Sequence, residues 1–116
     1  MTPIDLPSLF DTVADRRVAI GAVASGPERV AIDSLVDLFL IRGREALDRF
    51  TRHGHDAATD ALLTTACAAG LAFKKLLLAS RPSAEHELSP FLADMHVVMV
   101  ELFERIHASS APSMRH

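Results

Sequence analysis

The sequence predicts an all-α domain: an antiparallel four-helix bundle, completed or extended by homodimerisation. Three observations carry that expectation. Ala, Leu, Arg and Glu are plentiful, whereas Tyr and Trp are absent, which favours helix over strand. Apolar residues recur at helical intervals, and the two-residue alternation of a half-buried strand is missing. Gly and Pro fall at Pro7, Gly26-Pro27, Gly54, Pro82, Pro90 and Pro112, cutting out four segments of helical length with short connections.

The first helix is expected over about 8–25, with Pro7 just ahead and Gly26 as the stop. At about 100° per residue, Leu9, Val13, Ile20 and Ala24 share one face, flanked by Phe10 and Val23. Arg17 projects near that face. It reads as an edge arginine laying its stem on the core; the sharper alternative is a buried guanidinium awaiting a carboxylate.

The second helix is expected over 27–53, since proline suits a first turn and Gly54 ends the pattern. Its main face is Ile32, Leu35, Val36, Phe39, Leu40, Leu47 and Phe50. Gly43 sits on that face at a cost of about 1 kcal/mol against Ala, so it marks a close crossing or a kink. The third helix, over 57–81, is capped by Asp56 or Thr59 and cannot continue through Pro82. Its main face is Leu62, Ala66, Ala69, Phe73, Leu76 and Leu77, with small residues that admit a neighbouring backbone.

A short turn is allowed for at 83–88. The fourth helix, over 90–108, opens on Ser89-Pro90, a cap followed by proline at the first helical position. Phe91, Met95, Val98, Leu102 and Ile106 form its core stripe, widened by Leu92, Met99 and Phe103. A flexible tail is expected at 109–116.

Length and composition bound the function. A chain of 116 residues fits one domain, here 1–108. Its 49% apolar content is that of a packed globule. The longest uncharged apolar run, 61–73, is shorter than the roughly 20 residues of a membrane span. The N-terminal residues lack a basic stretch followed by an apolar core, so no secretory signal is expected. One cysteine, Cys67, cannot form an internal disulfide and suits a reducing cytoplasm. A net charge of -3 argues against general nucleic-acid affinity.

After each helix has faced the core, apolar residues remain in lines. They are Val30, Leu38 and Ile41 on the second helix, Cys67, Leu71 and Leu78 on the third, and Val97 and Val100 on the fourth. Helices apolar on two sides have neighbours on two sides. If the second stripes of helices two and three adjoin, they form a patch of interface size. These eight residues are the expected interface of a homodimer, with a further protein partner as an extension of the same idea.

The polar residues give less. Glu101-x-x-Glu104-x-x-His107 contains the Glu-x-x-His spacing of di-iron helical bundles, but both glutamates lie on the solvent side of the core stripe. No metal and no cofactor are expected, with Glu104 and His107 as the alternative pair. His96 and His107 are eleven residues apart on one helix edge, about 16 Å, too far to share an ion. His53-Gly-His55 is a chelating pattern of low specificity, and His86 stands between two glutamates. A phosphotransfer histidine would be followed by Lys-Gly; His55-Asp-Ala-Ala-Thr lacks the lysine. In the basic stretch Arg42, Arg44, Arg49, Arg52, His53 and His55, the spacings Arg44–Asp48, Glu45–Arg49 and Asp48–Arg52 allow local pairing. Cys67 has no neighbouring cation to activate it, and no phosphate loop is present, so nothing indicates an enzyme. The functional expectation is a small cytoplasmic interaction protein (adaptor, chaperone or regulatory subunit) acting through apolar helix surface. The alternative is a helical bundle that binds a small ligand or metal.

Overall fold

A computed structural model describes residues 5–22 and 24–108; Val23 and the expected tail at 109–116 lie outside them. Among the described residues the fold is entirely helical. In chain order it comprises α1 (Leu6–Arg16), a 3-10 segment (Arg17–Ala22), α2 (Gly26–His53), α3 (Ala57–Ser80), the short α4 (Ala84–Glu87) and α5 (Ser89–Ala108).

The start of α1 lies earlier than the sequence suggests, with Pro7 inside its first turn. Asp5 caps it, accepting hydrogen bonds from the Ser8 backbone amide at 3.4 Å and the Ser8 hydroxyl at 2.7 Å. Nor is the expected helix over 8–25 continuous. The α-helix stops at Arg16 and tightens into 3-10 winding, a common way to end a helix before a turn. Arg17 stands where the winding changes. Its guanidinium reaches across to α2, bonding Asp37, the Asp33 carbonyl at 3.2 Å and the Asp33 carboxylate at 3.4 Å. Burial disfavours the charge, but hydrogen bonds and attraction from Asp37 and Asp33 outweigh it and push the pKa above its ordinary value. Gly26, at φ 62°, takes the left-handed conformation needed to reverse the chain into α2.

The longest helices, α2 and α3, lie side by side as a hairpin joined by only three residues, 54–56. Their buried faces follow helical spacing. On α2 the buried residues are Ile32, Val36, Phe39, Leu40, Gly43 and Ala46. On α3 Leu63 takes the buried position expected for Leu62, which is half-buried. The buried set of α5 is Phe91, Met95, Val98, Leu102 and Ile106, the stripe read from the sequence; Phe103, expected to widen it, is 50% exposed. α4 plugs one end of the core through Ala84 and the following Leu88.

Two aromatic pairs organise the interior: Phe10 with Phe39, centroids 6.3 Å apart, and Phe73 edge-on to Phe91 at 5.5 Å. Ion pairs brace α1 against α2 and α5, Arg44 to Asp11 at 2.7 Å and Arg16 to Asp94 at 2.9 Å. The molecule measures 51 × 31 × 22 Å. The shortest dimension is about two helix diameters, so among the described residues no third layer covers the outer faces.

Gly43 marks a close crossing. A Cβ there would lie 2.7 Å from Phe10 Cε1 and 2.9 Å from Cζ, and Phe10 is fully buried. Gly43→Ala is therefore expected to destabilise the fold by about 1–3 kcal/mol from overpacking, less up to about 1 kcal/mol of helix propensity gained. Chemical denaturation checks this, and Phe10→Leu in the same chain should remove much of the penalty attributable to Gly43→Ala.

Candidate functional site

The chemistry of interest gathers at the α2–α3 turn. Gly54 closes α2 with its amide on the Phe50 carbonyl at 2.8 Å and takes φ 75°, a conformation that favours glycine. Asp56 then does two things at once. Its Oδ1 accepts from the Thr59 amide at 2.8 Å, capping α3, and its two oxygens receive the Arg49 fork at 3.3 and 2.9 Å. The Arg49 hydrogen bond and the Thr59 bonds hold the Asp56 carboxyl well below the usual carboxylate range. Thr59 is buried, and its hydroxyl donates back to the Gly54 carbonyl at 3.4 Å.

This turn fixes His55 beside Asp60 in the first turn of α3. Asp60 Oδ1 accepts from His55 Nε2 at 2.8 Å and from His107 Nε2, near the end of α5, at 3.2 Å. One potential ligand atom from each of these residues lies within 4.8 Å of the other two. The imidazoles meet edge-on with centroids 5.2 Å apart, and Phe103 braces His107 edge-on at 4.2 Å. The sequence reading noticed His55 and His107 separately but did not join them or include Asp60. Glu104, its chosen companion for His107, is exposed and does not belong to this cluster. His53, His86 and His96 are also exposed.

From the cluster an apolar groove runs between α3 and α5. Its near end, about 550 Å³, is lined by Asp60, Leu63, Cys67, Leu71, Phe103 and His107. It continues past Met99, Val100 and His96. Leu71 is 62% exposed there and Val100 39%. The thiol of Cys67 is pushed up by burial, which keeps it protonated and a poor nucleophile.

The eight expected interface residues do not form one patch. Cys67, Leu71 and Val100 share the groove. Val97 is exposed on α5, Val30 and Ile41 are exposed on α2, and Leu78 is half-buried. Leu38 packs against the core, as Cys67 partly does. The adjoining apolar surfaces are thus those of α3 and α5 rather than α2 and α3, because α2 and α3 spend their shared sides on each other. By length and composition α3 is the one helix among the described residues that could cross a membrane; 33% of that stretch is buried.

The basic stretch is paired, though mostly not as its spacing suggests. Arg52 binds Asp48 at 3.2 Å as expected. Arg42 binds Glu45, Arg44 reaches Asp11 and Arg49 reaches Asp56, so only one of the three local pairs forms. No protein-family model, curated protein or solved structure matches the chain.

The depressed Asp56 pKa makes a pH prediction. A carboxylate whose folded pKa lies below its unfolded value of 3.8 stabilises fully above that value and progressively less as pH falls through it. Asp56→Asn keeps a capping oxygen but loses the charge. Its melting temperature should lie below that of the wild type at neutral pH, and the gap should narrow below about pH 4. A gap independent of pH would show that Arg49 draws nothing from the Asp56 charge.

Proposed function

We propose that the protein is a helical interaction module, a four-helix bundle of α1, α2, α3 and α5 whose α3–α5 groove is covered by a second copy of the chain. One observation carries the reading: an exposed apolar groove lies beside an uncharged stretch of α3. Between Asp60 and Lys74 no charged residue occurs, and Ala61, Thr64, Ala68, Leu71 and Ala72 are exposed. A solvent-facing helix ordinarily carries charge on its outer side.

The arrangement of charge favours a second copy over an unrelated occupant. A two-fold axis near Cys67 and Ala68 would align two α3 helices antiparallel. Asp60 would then lie opposite the partner's Lys75, and Thr64 opposite the partner's Leu71. Such a contact is self-complementary, as a two-fold interface must be. Lys74 and Lys75 form no ion pair among the described residues. Arg42, Arg44, Arg49 and Arg52 are all paired, which leaves the basic stretch of α2 little available charge for phosphate recognition. A lone protonated cysteine suits a reducing cytoplasm.

Light scattering at micromolar concentration should give twice 12.6 kDa. Leu71→Glu should halve that mass while leaving helical circular dichroism intact, because the side chain is already exposed in one copy. Ile41→Glu, on α2, should leave the dimer unchanged. A wild-type mass of 12.6 kDa, or a dimer indifferent to Leu71→Glu, would overturn the proposal.

A further inference from the structure

We propose that His55, Asp60 and His107 form a site for a first-row divalent cation, with zinc the best fit, at the near end of the α3–α5 groove. Two imidazoles and a carboxylate are the donor set preferred by borderline metals such as zinc, and hard cations such as calcium and magnesium favour oxygen alone. The separations suit such an ion. Bonds of about 2.0–2.1 Å in a tetrahedron place ligand atoms about 3.3–3.4 Å apart. Asp60 Oδ1 lies 2.8 Å from His55 Nε2 and 3.2 Å from His107 Nε2. One atom from each residue falls within 4.8 Å of the others, so small side-chain rotations would close the set.

His55 is exposed and Asp60 and His107 are half-buried, but each is held by its surroundings. His55 is held in a three-residue turn clamped by Arg49, Asp56 and Thr59. Asp60 is one turn into a capped helix, and His107 is braced by the Phe103 ring. Fixed ligand carriers lower the ordering cost of binding. Three protein ligands are also the number found in zinc sites that keep an exchangeable position. Asp60 and His107 both line the near end of the groove, so a water retained there beneath the second copy could complete the coordination. By sequence no metal is expected, because Glu101 and Glu104 face outward; the donors of this site come instead from the turn, α3 and α5.

Binding would also tie the end of α5 to the α2–α3 hairpin, which supplies a readout independent of activity. Metal-stripped full chain titrated with zinc alone should bind one ion per chain and melt at a higher temperature when loaded. Cobalt should report the same site through visible ligand-field bands. His55→Ala, Asp60→Asn and His107→Ala should each weaken zinc binding by about tenfold or more, the scale seen even for residues that only orient ligands. His53→Ala and His96→Ala should bind as the wild type does. Circular dichroism checks that each variant is folded. His55, in the turn rather than a helix, supplies the decisive variant should His107→Ala unfold. Absence of saturable zinc binding by the wild type would overturn the proposal. So would binding that survives His55→Ala, or that is lost in Glu104→Gln but not in Asp60→Asn.

Discussion

The carboxylate of Asp56 joins the two longest helices, and the placement of both candidate sites depends on that junction. It caps α3 through the Thr59 amide and holds Arg49 of α2 through both oxygens. Without the cap, the first amides of α3 would lack partners; without the ion pair, the turn would lose its tie to α2. With both in place, His55 is confined to the turn and Asp60 follows one helical turn later. Antiparallel packing then brings the last turn of α5 to the same end of the molecule, where His107 meets them.

The distribution of charge explains why one surface is polar and another is not. Arginines of α1, the 3-10 segment and α2 are spent on bracing helices: Arg17 on Asp33 and Asp37, Arg44 on Asp11, Arg16 on Asp94. Individually exposed pairs of this kind contribute little, about 0–1 kcal/mol each. Their value lies in fixing which helix meets which, because the partners are far apart in sequence. α3 has no such braces between Asp60 and Lys74. Its packing is set by apolar contact and by small residues, including Gly70, where an added Cβ would lie 3.0 Å from Met99 Sδ. A helix held this way keeps an uncharged outer surface, and in a molecule 22 Å thick no second layer of the described residues lies beyond it.

Much of the fold was legible in single helices. The α5 stripe, the Gly43 crossing and the proline-led start of α2 follow from periodicity and backbone chemistry, which act within a few residues. The departures arise where two helices compete for a surface. Leu62 and Leu63 differ by about 100° around α3, and the packing of the neighbouring helices decides between them. Phe103 could widen the α5 stripe by sequence, yet it faces the groove and braces His107. The first helix was drawn too long because a pattern of apolar spacing does not register a change from α to 3-10 winding. The pull of Asp33 and Asp37 on Arg17 accompanies that change.

By itself the sequence determined the helical class, the approximate extent of the four long segments and the core-facing side of most of them. Each of those depends on local dihedral preference and a 3.6-residue repeat. It also determined that more apolar surface exists than four helix stripes require. Only the tertiary structure decided where that surplus lies, because α2 and α3 cover each other and leave the spare faces of α3 and α5 adjoining. The same holds for the histidines. Asp60 and His107 are 47 positions apart, and no spacing rule links residues on separate helices. Their meeting depends on the antiparallel packing of α3 and α5, a relation between whole helices that residue periodicity does not encode.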